Sequence, residues 1–252
     1  MIVLDVGNSS VKWATDKNGV LEGGGRFFYR DEGFSRAASR AWEGLPAPRV
    51  FAVASVAGAV MEREISAWAG KVWDTVPCFI RATNQAAGVT NAYLEPGALG
   101  ADRWAAIVAA HHGADNPVCI IDCGTAITLD LVDAAGNHQG GLIAPGLAMM
   151  RRSLVQETAA IGSLPDWADG LPSLFSGNTR EGVNSGIMHM AGALIDRVIE
   201  EAVAGYDRNL EAVITGGDAE RLLPVLRNTP RYDRDLVLRG VAMLARETLC
   251  GM

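Results

Sequence analysis

Residues 2–24 read IVLDVGNSSVKWATDKNGVLEGG, and residues 119–141 read CIIDCGTAITLDLVDAAGNHQGG. Laid over one another without a gap, they match Asp5 with Asp122, Gly7 with Gly124, Asp16 with Asp133, Gly19 with Gly136, and Gly23-Gly24 with Gly140-Gly141. In each copy a short apolar run ends in a polar-glycine turn, the pattern of a buried strand entering a tight turn. Residues of strand character follow, SVKWAT and AITLDLV, and then the turn signals KNG and AAGN. Each copy is therefore expected to open with a β-hairpin or meander whose first turn contains Asp-x-Gly. Gly and Asp are common turn formers, but six identities in 23 positions, with matching strand character around them, outweigh chance.

Downstream the pattern turns helical. ALGADRWAAIVAAHH (98–112) carries apolar residues at helical spacing and is stopped by Gly113, and further helices are predicted over 180–204 and 235–249. EAVITGG (211–217) reads as a strand entering a Gly-Gly turn, followed by the helical AERLLPVL. Strands and helices thus alternate around an internal repeat. This predicts an α/β protein of two similar lobes, 1–116 and 117–252, each a mixed sheet with flanking helices.

The composition is that of an ordered globular chain: 252 residues, 49% apolar and 20% charged. A net charge of −7 argues against a nucleic-acid-binding surface, which needs clustered Lys and Arg. A small anion held by backbone amides remains compatible with it. Cys78, Cys119, Cys123 and Cys250 form no Cys-x-x-Cys pair, and adjacent His111 and His112 point to different helix faces, so buried thiols are expected rather than a metal site. No signal-peptide segment precedes Asp5, and no apolar run is long enough to cross a bilayer, which reads as cytoplasmic with no membrane partner.

The paired turns carry the chemistry. A glycine directly after a buried strand lets backbone N–H groups approach a ligand and form an anion-binding nest. The preceding aspartate repels phosphate but can hold Mg²⁺ bridging to phosphate oxygens. Asn8, Ser9 and Thr125 add side-chain donors. Two such turns facing across a cleft would grip a nucleotide polyphosphate. Neither a P-loop nor a dinucleotide-binding glycine motif is present. The two Asp-x-Gly turns, with TGG at 215–217, resemble the actin-like ATPase and sugar kinase superfold, which includes hexokinase and acetate kinase-like enzymes; that resemblance implies a nucleotide cleft between the lobes and an adenosine site at the Gly-Gly.

YLEPGALGADR (93–103), DCGTAITLDLVDAAGNHQGGLIAPGLAMMRRSL (122–154), TAAIGSLP, NTREGVNSGI and TGGDAERL then follow in order. Together they resemble type III pantothenate kinase through most of the chain, residues 26–90 carrying little of the likeness. The resemblance implies ATP-dependent phosphorylation of pantothenate at the first step of coenzyme A synthesis, with Mg²⁺ and a monovalent cation (K⁺ or NH₄⁺), in a homodimer whose partner helps close the pantothenate pocket. It assigns Asp5, Val6, Gly7, Asn8, Ser9, Ser10, Val11 and Lys12 to the ATP phosphates and Thr125 to a further nucleotide contact. It assigns Asp122 to the monovalent cation, Tyr93, Gly100, Ala101, Asp102, Arg103 and Thr179 to pantothenate, and Asp102 to the catalytic base. Physical reasoning agrees on Asp102, since an attacking alcohol needs a proton acceptor and a first-turn carboxylate is kept ionised by the helix dipole. The planar fork of Arg103 suits the carboxylate of pantothenate.

Plainer readings stand beside these. Asp102 also suits a helix N-terminus for its dipole alone, with Arg103 a surface charge; Lys12 also reads as a strand-edge lysine that discourages sheet pairing. The six tryptophans read as packing, as do Met149 and Met150. The apolar segment 183–195 suits either a dimer interface or a buried helix. Ser9-Ser10 and Gly182 depart from the family pattern, the latter at a helix start where its cost is small. Lys12 falls opposite Leu129 and Asn8 opposite Thr125, so the first turn is expected to handle the phosphate that moves and the second to anchor the nucleotide and its cation. Another kinase of the superfold, a nucleotide-binding regulator without turnover, and a phosphate hydrolase are the competing functions.

Overall fold

A computed structural model describes residues 1–158, 160–162, 164, 167 and 173–250. Ala159, Ser163 and Pro165 of the TAAIGSLP stretch lie outside the described residues, as does the side chain of Cys250. The chain begins with β1 (Ile2–Val6), β2 (Ser10–Lys17) and β3 (Val20–Phe28), then α1 (Phe34–Ala41), β4 (Phe51–Ser55), α2 (Gly58–Trp73) and β5 (Cys78–Phe79). A small hairpin of β6 (Gln85–Ala86) and β7 (Val89–Thr90) leads to α3 (Ala101–His112). The second half runs β8 (Val118–Cys123), β9 (Ala126–Val132), β10 (His138–Pro145), α4 (Leu147–Glu157), α5 (Thr179–Gly205), β11 (Glu211–Thr215), α6 (Ala219–Leu222) and β12 (Arg231–Tyr232), and α7 (Leu236–Cys250) follows.

The duplication extends well past the two hairpins. One sheet has the order β3-β2-β1-β4-β5, the other β10-β9-β8-β11-β12. In both, the first strand pairs antiparallel with the next in sequence and parallel with a strand that returns after a helix, and that strand pairs parallel with a two-residue edge. These are the two mixed sheets expected from the repeat.

The lobe boundaries differ from 1–116 and 117–252. One compact unit comprises residues 1–113, 135–140 and 235–252; the other comprises 114–134 and 141–234. The physical reason lies in α7, which packs on α3 and β1. A Cβ on Gly240 would lie 1.8 Å from the Ala105 carbonyl oxygen, so the α3 and α7 backbones are in direct contact and only glycine fits. Asp16, 3% exposed, also accepts a 2.6 Å bond from Arg246 of α7.

The first unit's core is aromatic. Trp42 is ringed by Trp13, Phe27, Phe34, Phe51, Trp68 and Trp73 at 4.9–6.1 Å between centroids, many of them edge to face. Trp104 is fully buried as well. In the second unit Cys119, Ile121, Cys123, Ile127 and Leu129 meet one face of α5 through Ile187, Met188, Ala191 and Ile195. The 183–195 segment is thus a core helix on that face, while Met190 on the other is 56% exposed. Burial pushes the Cys119 thiol up to about 12 and drives Cys123 higher still, with Asp130 and Asp122 adding to the respective effects, so both are inert packing groups. Among the described residues no helix is long and apolar enough to cross a membrane.

Candidate active site

The first turn is pinned at its mouth by the fully buried pair Val6 and Val11. Between them lie Gly7, Asn8, Ser9 and Ser10, and Gly7 N–H donates to Ser10 O at 3.1 Å. Tyr29 donates its hydroxyl to Gly7 O at 2.6 Å, Arg30 Nε donates to Asn8 O at 3.1 Å, and Arg26 Nε donates to Ser10 Oγ at 3.1 Å. With its carbonyls engaged in this way, the turn is held in place by its own chain. Burial lifts the Tyr29 phenol above its ordinary value, against the opposing pull of Arg30.

Ladder register puts Asp5, Lys12 and Arg26 abreast on three successive strands, a carboxylate, an ammonium and a guanidinium in one row. Because β2 is flanked by β1 and β3, Lys12 is not a strand-edge residue. Arg26, Tyr29 and Arg30 were missed in the sequence because neither the repeat nor the family likeness reaches them there. No periodic signal marks them: β3 reads VLEGGGRFF, without alternation, and carries a bulge at which a Cβ on Gly24 would meet Trp13 O at 2.4 Å.

The second turn is one residue shorter. Its closing pair is Cys123 with Ile127, leaving Gly124, Thr125 and Ala126 between them. Across the ladder, Asp122 therefore faces Thr128, and the ungapped overlay that set Lys12 against Leu129 is corrected: Thr128 occupies the position that Lys12 holds in the first sheet. On its other side Asp122 pairs with Thr215, where Asp5 pairs with Ala54. Two hydroxyls thus flank Asp122 where an ammonium and a methyl flank Asp5. Thr215 is 0% exposed, and among the described residues its Oγ1 has no hydrogen-bond partner.

Two glycines clasp this turn. A Cβ on Gly216 (φ +99°) would lie 2.4 Å from Cys123 O and 2.5 Å from Asp122 Oδ1. A Cβ on Gly146, which opens α4, would lie 2.3 Å from Gly124 O, and Gly146 N–H donates to Thr125 O at 3.1 Å. TGG and APG are therefore braces of the DCGTA turn.

In the LGADR segment, Gly100 starts α3 and its carbonyl accepts the first helical bond from Trp104 N–H. A Cβ on Gly100 would meet Asp102 Oδ1 at 2.6 Å, so the carboxylate folds back over a bare Cα. Asp102 Oδ1 also accepts from Arg103 N–H at 2.7 Å. Ala101 is buried beneath. Arg103 is only 7% exposed, which removes the surface-charge reading. Its Nη1 donates to Tyr93 Oη at 2.8 Å, and its guanidinium carbon lies 5.6 Å from the centre of the Tyr93 ring. Tyr93, Gly100, Ala101, Asp102 and Arg103 are thus brought together in the first unit. Thr179 opens α5 in the second unit, next to the N-cap Asn178, whose side chain accepts from Glu181 N–H at 3.0 Å. Gly182 has open space at its Cβ position, in keeping with a helix start of low cost.

The sequence matches the family model of type III pantothenate kinase over residues 1–201. The chain belongs to the type III pantothenate kinase family. A type III pantothenate kinase from Nitrosococcus oceani is 39% identical, covering 98% of this chain and 94% of that one; a second, from Halorhodospira halophila, is 35% identical over 97% of each. Among solved structures, the ROK hexokinase of Thermus thermophilus (TM-score 0.50, 15% identity, 99% and 100% covered) shares the fold. So does the activator of 2-hydroxyisocaproyl-CoA dehydratase from Clostridium difficile (TM-score 0.55, 12% identity, 100% and 97% covered). A type III pantothenate kinase is a kinase of coenzyme A synthesis, and the two like sheets are those of the actin-like ATPase and sugar kinase superfold. The expected family and fold therefore hold.

Proposed function

We propose that the chain transfers the γ-phosphoryl group of ATP to the primary hydroxyl of pantothenate, with Asp102 as the base. The observation that carries the reading is the Asp102 carboxylate, folded over bare Gly100 in the first turn of α3 beside buried Arg103 and the half-buried Tyr93 to which it is bonded. Tyr93, Gly100, Ala101, Arg103 and Thr179 hold pantothenate, Arg103 facing its carboxylate. Asp102 takes the hydroxyl proton as the oxygen bonds to the γ-phosphorus and the bond to the ADP oxygen breaks. The nest Asp5–Lys12 binds the phosphates, the Lys12 ammonium lying against the group in transfer, and Thr125 contacts the nucleotide. Most of the acceleration comes from positioning and charge stabilisation.

The residues present fit both expected cations. Asp5 would hold Mg²⁺, which neutralises phosphate charge when bound. Asp122, flanked by Thr128 and Thr215, offers the hard oxygen donors that a K⁺ or NH₄⁺ ion takes, and the orphaned Thr215 hydroxyl supports this, since an unsatisfied buried polar group costs about 1–3 kcal/mol. In effect the first sheet carries its own cation in Lys12, and the second accepts one from solution.

Coupled ADP release tests the reading. ADP is expected only when pantothenate is present, with the rate falling several-fold when Na⁺ replaces K⁺ and that difference vanishing in Asp122→Ala. ADP formed equally without pantothenate would instead make the chain a hydrolase.

A homodimer is supported by an apolar groove of about 830 Å³ in the second unit, lined by Pro145, Met149, Met150, Leu154, Val183 and Met190, with Thr179 also on its wall. A second copy covering it would reach Thr179. Met190→Asp is expected to convert a dimer to a monomer in sedimentation equilibrium and to raise the pantothenate KM; an unchanged dimer would place the interface elsewhere.

A further inference from the structure

We propose that His138 is a positioning residue that sets Tyr93, and through it Arg103, for pantothenate. This rests on the reading of Tyr93 and Arg103 as pantothenate ligands. His138 is the first residue of β10, is 4% exposed, and lies in the same compact unit as the substrate segment. Its ring stacks on Tyr93 at 14° between planes and 6.1 Å between centroids. Its Nδ1 accepts from Ala92 N–H at 3.4 Å, which assigns the ring proton of the neutral form to Nε2. The imidazole thus touches the tyrosine ring and the backbone directly before it.

The loop it grips is otherwise held from within. Tyr93 N–H donates to Asn91 Oδ1 at 3.0 Å, and Asn91 Nδ2 donates to Thr83 O at 3.1 Å. Thr90 N–H donates to Gly136 O at 2.8 Å, and a Cβ on Gly136 would lie 2.2 Å from Gly88 O, so the AAGN turn meets the β6–β7 hairpin backbone to backbone. That contact delivers His138 to the Tyr93 ring. The far end of the Tyr93 side chain, its Oη, is in turn the acceptor of Arg103 Nη1 at 2.8 Å. Any rotation of the Tyr93 ring therefore moves the acceptor that orients the guanidinium. A buried histidine that served packing alone would be better replaced by an apolar side chain, since burying a polar ring is costly unless its hydrogen bonds are used. Here both faces of its chemistry are used, the flat ring for stacking and Nδ1 for the loop.

Two substitutions separate these parts. His138→Asn keeps an acceptor near the Nδ1 position and loses the stack; His138→Phe keeps the stack and loses the acceptor. For each, kcat and both KM values are measured with the melting temperature, alongside Arg103→Met. The expected result is a pantothenate KM raised about tenfold in at least one His138 variant, with the ATP KM and melting temperature close to wild type. A pantothenate KM unchanged in both variants, while Arg103→Met raises it, overturns the role of His138 and leaves the site reading intact. If the His138 variants shift both KM values and the melting temperature together, the residue is structural and the proposal fails. If Arg103→Met leaves the pantothenate KM unmoved, the site reading itself fails and takes this inference with it.

Discussion

Asp102→Asn is expected to lower kcat by roughly 10²–10⁴-fold, the range a positioned general base contributes, with both KM values and the fold preserved. Asparagine keeps the size of the side chain and an oxygen that can accept from Arg103 N–H, as Asp102 Oδ1 does at 2.7 Å. It loses the charge that favours the first turn of α3, worth about 0.3–1 kcal/mol, too little to unfold the protein. Steady-state kinetics with a circular-dichroism melt decides the matter. A variant that melts normally and turns over at the wild-type rate would leave Asp102 as a helix-start residue only.

The second large effect is on stability. Gly240→Ala would place a methyl group 1.8 Å from the Ala105 carbonyl oxygen and 2.4 Å from its carbon, a clash with helical backbone that no rotamer relieves. Alanine in an ordinary helix interior would gain about 1 kcal/mol over glycine. Here α7 must back away from α3, and a net loss of roughly 3 kcal/mol is expected. Denaturant unfolding measures it, and a variant as stable as wild type would contradict the direct backbone contact. Because Ala105 lies one turn beyond Asp102, a fall in kcat should accompany the loss.

Much of this was legible in the sequence, for identifiable reasons. Both hairpins, α3, α5, α7 and β11 have strong periodicity bounded by glycine or a polar cap. The family likeness placed Tyr93, Gly100, Asp102 and Arg103, and the structure brings them together. The register of the second hairpin was not legible. Asp16 aligns with Asp133 and Gly19 with Gly136 without a gap, yet the ladder offsets β9 by one residue, so those identities recur at positions that are not equivalent. Turn length is fixed by which residue closes the hairpin: the ungapped overlay sets Thr128 against Val11, yet Ile127, one place earlier, is the residue that pairs with Cys123. The boundary after residue 234 was missed because the cause is a bare Cα at Gly240, and a single glycine in a helical pattern reads as a weak helix former rather than as a contact. His138 was invisible for a related reason: its importance comes from a stack with Tyr93, 45 positions earlier in the chain, and no local pattern announces it.

The position of α7 also bears on how the protein is made. The helix that carries Asp102 finds its packing partner more than 120 residues later, after the whole of the second unit has been translated. At about 5–20 residues per second, α3 waits many seconds with an unpaired face while the intervening segment, nearly continuous in sequence, is free to fold as a unit. Closing so long a loop delays the first unit further. Ribosome-bound chains halted before residue 236 should therefore protect the DCGTA turn from protease before they protect the LGADR segment, and nascent kinase should acquire its base last.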